Sequence, residues 1–276
     1  MGRELQRLRR RKKLVTRLDE LNEQAGSVLV IHYSCESFYN RDDGRTPRVT
    51  SIAVRNLASG QTDSFSIHQI AEEEKVAFES ITEHYDDLEK KMLDRYFGFV
   101  RTHQHVTWMH WNMRDVNYGF AAIEHRYRVL GGEPMPIAEE HKFDLSRALV
   151  DLYGIDYIEH PRLDSLIKKN KITDKDFMSG EDEAAAFDNR QFVKLHQSTL
   201  RKVDTLANIF ERSVNGLLKT NASWIEQHGY TPKAAVEWFK EHWLITLIIT
   251  CGSILTFCAR LVELIIHFIR WVTNLW

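Results

Sequence analysis

Glu36 is the first carboxylate in the chain with a setting suited to chemistry, because it follows a short and strongly apolar run. That run, residues 28–31 (Val-Leu-Val-Ile), is typical of a buried central strand. Hydrolysis of a phosphodiester by two divalent cations needs carboxylates that hold the metal ions about 3.5–4 Å apart. Glu36 can belong to such a site only if the fold brings further acids to the end of its strand.

The segments after Glu36 predict a mixed α/β domain. Strands are predicted at 48–56 and 62–68, with a turn at 58–61 between them. A further short strand is predicted at 105–110, where the sequence is His-Val-Thr-Trp-Met-His. Apolar residues at helical spacing predict helices at 72–101, 115–130, 145–153, 163–169, 181–187 and 191–218.

Length, charge and cysteine content limit the possible classes. The chain has 276 residues, enough for one well-packed domain with appendages, and a formal net charge of −2. The first turns are crowded with cations, namely Arg3, Arg7, Arg9, Arg10, Arg11, Lys12, Lys13 and Arg17. Such a run is either a solvated helix face or a contact for an anionic membrane or nucleic acid. Cys35, Cys251 and Cys258 have no zinc-site spacing and imply no disulfide framework.

The C-terminal segment predicts a membrane helix. Residues 243–259 contain no charged side chain, and the sequence stays largely apolar to Trp276. The polar residues beyond this point recur in steps of three and four and so share one helical stripe: Arg260, Glu263, His267, Arg270 and Asn274. The stripe would face water at the membrane surface or pack against copies of itself in a homo-oligomer. The alternative is a helix buried in a soluble core.

These patterns predict four regions along the chain. They are a basic helix at 1–24, the α/β domain at 25–218, a linker with a short helix at 219–241, and a transmembrane or amphipathic helix at 242–276. Thr231 and Pro232 predict the start of the short helix, since Thr suits the N-cap and Pro the first turn. We expect the soluble part in the cytoplasm, because the N-terminus is basic and has no apolar signal-peptide segment.

Three motifs within residues 27–212 resemble those of the DEDD-type 3′–5′ exonucleases, which have an RNase H-like fold. The first motif of that family is a core strand ending in Asp-x-Glu, and residues 34–36 (Ser-Cys-Glu) take its place. The second is a strand, His-Asn and a following Asp, matched by residues 108–115 (Trp-Met-His-Trp-Asn-Met-Arg-Asp). The third places an Asp in a late helix, matched by residues 200–207 (Leu-Arg-Lys-Val-Asp-Thr-Leu-Ala).

The resemblance implies an α/β fold of the RNase H-like type, a mixed sheet flanked by helices. It also implies that Glu36, Asp115 and Asp204 are catalytic ligands of Mg²⁺ or Mn²⁺. Their carboxyl groups should then lie within about 10 Å of one another, the range that paired metal ions can bridge.

Two positions depart from the pattern of the family. Ser34 stands where the first Asp is expected, and a neutral hydroxyl cannot replace a metal-bridging carboxylate. The His or Tyr that the family places five residues before the last Asp is Thr199. His196, about one helical turn earlier, becomes the candidate that orients the attacking water.

The resemblance and the two departures from it allow two possible functions. The first is a membrane-anchored, metal-dependent 3′–5′ exonuclease that processes or recognises nucleic acid at the inner face of the membrane. In the second, the domain has lost catalysis because Ser34 removes an acid. It then serves as a nucleic-acid or nucleotide sensor, or as a protein-binding module, that controls an oligomerising C-terminal membrane helix. Weak or absent hydrolysis is expected. By analogy alone, a degenerate nuclease joined to a membrane effector suits antiviral defence in conflict with phages.

Overall fold

The chain folds into two compact units that divide within its first helix. The computed structural model describes residues 3–37, 46–115, 117–223 and 232–273. The larger unit is Arg11–Ala222, and the smaller unit combines Met1–Arg10 with Ser223–Trp276.

A five-stranded mixed sheet lies at the centre of the larger unit. Its strands are β1 (Val28–Cys35), β2 (Val49–Asn56), β3 (Thr62–Ser66), β4 (Thr107–His110) and β5 (Lys142–Asp144). They lie in the order β3-β2-β1-β4-β5. β2 is antiparallel to β1 and to β3, whereas β4 is parallel to both β1 and β5. The apolar run therefore lies in the central strand, as predicted, while the three-residue β5 was not predicted.

Helices account for most of the rest of the described chain. They are α1 (Arg3–Glu23), α2 (Ile67–Glu73), α3 (Tyr85–Thr102), α4 (Phe120–Val129), α5 (Leu145–Tyr153), α6 (Arg162–Asn170), α7 (Gly180–Asp188), α8 (Phe192–Val214), α9 (Pro232–Glu241) and α10 (Trp243–Thr273). The predicted helices at 145–153, 163–169, 181–187 and 191–218 are confirmed within a few residues at their ends.

Alternating side chains of β1 point to opposite faces of the sheet and enter two apolar cores. Leu29, Ile31 and Tyr33 pack in the core shared with α2, α3 and α4. Val28 and Val30 pack in the core shared with α1, α5 and α6. Residues of α8 enter both cores. Helices thus cover both faces of the central strand, which explains why its apolar run is continuous.

The predicted helix at 72–101 is wrong as a single element, because the chain leaves the helix after Glu73 and resumes it at Tyr85. Lys75 adopts a left-handed backbone conformation with φ of 58°. The N–H of Val76 then donates to the carbonyl oxygen of Ala71 at 2.8 Å, which closes the end of α2. The pattern of apolar residues does not reveal this left-handed residue.

The predicted helix at 115–130 begins five residues later, at Phe120. Before it, the loop after β4 closes on itself through a bridge between Arg114 and Gly119. Gly119 has φ of 156°, and a Cβ at this position would lie 2.5 Å from the carbonyl oxygen of Met113. Only glycine fits so close an approach. Asp115 therefore lies in a loop and not at a helix N-terminus.

Among the described residues of the smaller unit, helix α10 is long and apolar enough to cross a membrane. The window Leu247–His267 of α10 has a mean hydropathy of 1.8, and 0% of it is buried. This exposure argues against the alternative of a core helix. In the same unit, the N–H of Leu5 donates to Oε2 of Glu237 at 3.1 Å. The predicted N-cap Thr231 and the linker residues 224–230 lie outside the described residues.

A buried ion pair fixes α4 to α3 and to the start of β2. The guanidinium of Arg126 is 3.0 Å from both carboxylate oxygens of Glu89, and the two side chains are 5% and 0% exposed. Glu89 also accepts the backbone N–H of Val49 at 2.6 Å, and Arg126 donates to Asp86 at 2.7 Å. Both carboxylate oxygens of Glu89 and the Nε and Nη2 atoms of Arg126 are thereby matched.

Replacing Arg126 with Met should lower the free energy of unfolding of the larger unit by about 3–5 kcal/mol, because it leaves the Glu89 carboxylate buried without its cation. The matched control is Arg128→Met on the same helix, since Arg128 is 54% exposed and, within the described part of the chain, pairs with Glu124 alone. The control should cost no more than about 1 kcal/mol. Denaturant unfolding followed by circular dichroism measures the free energy of unfolding of both variants. Equal losses of stability in the two variants would contradict the role given to the Arg126–Glu89 pair.

Candidate functional site

At the carboxyl end of β1, the Ser34 hydroxyl is hydrogen-bonded to side chains of two helices. Ser34 is 1% exposed. Its Oγ donates to Oε1 of Glu183 on α7 at 3.0 Å and lies 2.7 Å from Oγ1 of Thr199 on α8. The position at which the resemblance expects a catalytic Asp is therefore a closed, buried hydroxyl contact.

Glu183 forms a buried ion pair beside Ser34. Its Oε2 is 2.7 Å from Nζ of Lys202 on α8, with the two side chains 10% and 6% exposed. Its Oε1 accepts a second hydroxyl, from Ser198, at 2.8 Å. A lysine ammonium thus neutralises the carboxylate that contacts Ser34, and both carboxylate oxygens are engaged.

His32 lies on the same face of β1 as Ser34 and extends the buried polar layer between the sheet and α8. Within the described residues, neither ring nitrogen of His32 has a hydrogen-bond partner. Burial lowers the pKa of His32 well below its usual value, and the ammonium of Lys202 lowers it further. His32 is therefore neutral at physiological pH.

A cavity of about 470 Å³ opens at this end of β1. It is lined by Tyr33, Cys35, Glu36, Ser37, Tyr118, Gly180, Glu181, Glu183, Ala184 and Lys202. The charged side chains of this lining are three carboxylates and one ammonium, so the lining is acidic. Burial, with a smaller contribution from Glu183, raises the pKa of the Cys35 thiol to about 12. The thiol is protonated at neutral pH and is not an activated nucleophile.

Of the predicted acids, only Glu36 lines this cavity. Its carboxylate accepts the backbone N–H of Arg48 at 3.3 Å. Asp115 lies in the loop after β4, where it accepts the N–H of Asn117 at 2.8 Å. That loop is fixed to β1 through Tyr118, whose hydroxyl donates to the carbonyl oxygen of Tyr33 at 3.2 Å.

Asp204 lies near the opposite end of β1, where it pairs with Arg55 of β2 at 3.0 Å. In the sheet register Arg55 is opposite Val30, whereas Val49 is opposite Cys35. Six residues of an extended strand span about 20 Å. The structure therefore does not bring Asp204 to Glu36.

The other candidate, His196, lies over β2 and β3. Its ring nitrogens are 3.4 Å from the hydroxyls of Ser51 and Ser64, and its ring is 5.2 Å from that of His68. Among the described residues, no group of three His, Cys, Asp or Glu side chains is arranged to hold a metal ion.

The side chains around Ser34 do not fit Mg²⁺ or Mn²⁺. Such ions need several oxygen ligands, with carboxylates to balance their charge. Here the Ser34 hydroxyl is neutral and donates to Glu183, while the Lys202 ammonium already holds the other oxygen of Glu183. A dication at this point would face a buried lysine.

Sequence reasoning missed Glu183 and Lys202, although α8 carries a signal. Its buried face is apolar at Leu195, Val203 and Leu206, but it is interrupted by Ser198, Thr199 and Lys202. Polar residues that occupy core positions of an amphipathic helix need partners, and a lysine there requires a buried acid. The sequence alone does not identify which acid supplies it.

A second cavity, also about 470 Å³, opens at the ends of β4 and β5. Its charged groups largely compensate each other, since Arg114 pairs with Asp144 and Lys142 with Glu139. His110 borders it and accepts the N–H of Met113 at 3.1 Å through Nδ1. Burial lowers the pKa of His110 to about 4, so its ring is neutral.

Comparisons with known proteins do not show a family for this chain. No family model and no curated protein sequence matches it. A search of solved structures finds the crystal structure of a pre-cleavage Mos1 transpososome, with 12% sequence identity and a TM-score of 0.25. The alignment covers 79% of this chain and 64% of that chain, so it spans less than two thirds of the other chain's length.

Replacing Lys202 with Met should lower the free energy of unfolding by about 3–5 kcal/mol, because Glu183 is left buried and unpaired. Adding Glu183→Gln should recover part of the loss, since the amide is neutral and still accepts from Ser34 and Ser198. Lys194→Met, on the exposed side of the same helix, is the control and should be nearly neutral. A double variant that is less stable than Lys202→Met would contradict the pairing.

Acid should destabilise the fold through His196. Burial, and then the neighbouring His68, lowers its pKa to about 4, so as pH falls the unfolded chain takes up the proton first. His196 should therefore contribute a fall in the free energy of unfolding as the pH is lowered from about 6.5 to about 4, of at most roughly 1.4 kcal/mol for each tenfold rise in proton concentration. The buried His32 and His110, whose pKa values are also lowered, add to the total slope. His196→Gln should flatten this slope, whereas the exposed His84→Gln should leave it unchanged. Unfolding measured at several pH values in this range tests the prediction. Identical slopes for the native protein and His196→Gln would show that His196 does not contribute.

Proposed function

We propose that this chain is a membrane-attached binding protein whose α/β domain takes a small ligand at the end of β1 and does not hydrolyse phosphodiesters. The ion pair between Lys202 and Glu183, closed over Ser34, carries the proposal. It puts a cation of the protein next to Ser34, the position at which the resemblance expects a metal-binding Asp. Glu36 and Tyr118 also line the cavity beside the pair.

The order of the strands supports an RNase H-like architecture for the domain. The central first strand is followed by an antiparallel hairpin partner on one side and by parallel strands on the other, with helices on both faces. The resemblance implied a core strand ending in an acidic motif, within a mixed sheet flanked by helices. The finer assignment to the DEDD group rests on the sequence motifs alone.

The charge of the cavity favours one class of ligand. Glu36, Glu181 and Glu183 outnumber Lys202, so a phosphate group would meet net repulsion. Carboxylates instead accept hydrogen bonds from amino groups, and the Tyr118 ring adds an aromatic surface. We propose a nucleobase, or another small molecule with amino donors, in preference to a nucleic-acid backbone.

The membrane attachment rests on α10, whose exposed apolar window has the length of a bilayer core. We place the α/β domain on the cytoplasmic side, because the basic start of the chain follows the positive-inside tendency. The metal-dependent 3′–5′ exonuclease is the competing proposal, and it needs the carboxylates to bind Mg²⁺ or Mn²⁺.

Full-length protein in detergent should leave end-labelled single-stranded DNA and RNA intact in the presence of Mg²⁺ or Mn²⁺. It should nevertheless be stabilised against heat by nucleosides that carry an exocyclic amine, and Glu36→Gln should weaken that effect. Glu79→Gln, an exposed site on another part of the domain, should not. Metal-dependent cleavage that disappears in both Glu36→Gln and Glu183→Gln would establish the exonuclease instead. Absence of any nucleoside effect would overturn the choice of ligand.

A further inference from the structure

The C-terminal helix carries its polar residues along one line with a heptad repeat. Ser253, Thr256, Arg260, Glu263, His267 and Arg270 follow one another in alternating steps of three and four. Helix α10 is continuous from Trp243 to Thr273, so all six lie on the same helix. A mean step of 3.5 residues is the spacing of a seam between packed helices. We call these six residues the polar seam.

Contact with lipid is energetically unfavourable for the charged residues of the polar seam. Arg260 and Glu263 lie inside the apolar window Leu247–His267, and both are exposed along the described helix. A charged side chain near the centre of a transmembrane helix costs roughly 2.5–3.5 kcal/mol on an insertion scale. Such residues face a partner or a water-filled interior in membrane proteins.

A second copy of this chain, in the same orientation, supplies the complementary charges at the same depth. Residues three apart on a helix differ in height by about 4.5 Å. Glu263 of one copy can therefore reach Arg260 of the neighbouring copy. In a symmetric assembly the same pairing repeats between neighbouring copies. Copies inserted by the same route share one orientation, so the seams run parallel.

The uncharged end of the polar seam allows the helices to approach. The Ser253 hydroxyl donates to the carbonyl oxygen of Ile249 at 2.8 Å, and that of Thr256 to Gly252 at 3.0 Å. Both hydroxyls are thus satisfied within their own helix. Small residues at such positions let membrane helices pack closely.

We infer that α10 assembles with parallel copies of itself through the polar seam. The inference rests on the helix alone and does not depend on the ligand of the α/β domain. It also assigns an outward face: Cys251 and Cys258 are seven residues apart and lie on the side opposite the seam. Both are free and exposed, so the chain contains its own control positions.

Disulfide trapping of full-length protein in membranes tests which face is shared. One variant carries a single cysteine in the seam, through Thr256→Cys with Cys35→Ser, Cys251→Ser and Cys258→Ser. The other carries only the native Cys258, through Cys35→Ser and Cys251→Ser. Mild oxidation should link the seam variant into dimers several-fold more than the other. Equal linking, preferential linking through Cys258, or no linking of either variant would overturn the inference.

Charge exchange tests the pairing itself. Glu263→Arg places cations against cations and should abolish assembly, whereas Arg260→Glu combined with Glu263→Arg should restore it. Ile265→Leu, on the outward face, should have no effect. The mass of the detergent-solubilised protein reports the assembly state of each variant. Carbonate extraction confirms that each variant is inserted in the membrane. Should Glu263→Arg fail to insert, Glu263→Gln is the milder variant. Assembly that survives both Glu263→Arg and Glu263→Gln would rule out the charge pairing.

Discussion

The ion pair between Lys202 and Glu183 is the interaction on which the site depends. It lies between α7, α8 and the end of β1, and both side chains are almost completely buried. Burying two charges is costly unless each is matched by the other and by hydrogen bonds. The hydroxyls of Ser34 and Ser198 complete this matching on the carboxylate. Because the pair needs all of these partners, it determines which chemistry the end of β1 can support.

The same constraint explains the unusual composition of the layer between the sheet and α8. An apolar helix could pack on this face with apolar side chains alone. Here the layer instead contains the polar side chains of His32, Ser51, His196 and Thr199. The histidines are held neutral by burial, and His32 is also kept neutral by the adjacent ammonium. Below this layer, the apolar cores on both faces of the sheet supply the stability that a polar layer does not.

Much of the architecture is predictable from the sequence, because it follows from patterns within single elements. The apolar run at 28–31 predicts the central strand, and helical spacing predicts α5 to α8. The site is less predictable, because it depends on pairings between distant elements. Asp204 fits a motif but faces Arg55 near the opposite end of β1, while Glu183, which fits no motif, meets Ser34. The left-handed Lys75 and the close approach at Gly119 likewise arise from local geometry that periodicity does not encode.

The central claim is that Lys202 takes the place of metal ions beside Glu183. Calorimetric titration of Mn²⁺ into the purified full-length protein tests it most directly, with Ser34→Asp combined with Lys202→Met as the comparison. The native protein should show no saturable Mn²⁺ binding that depends on Glu183. The double variant adds a carboxylate and removes the ammonium, so it should gain such binding. Saturable binding by the native protein that is lost in Glu183→Gln would contradict the account.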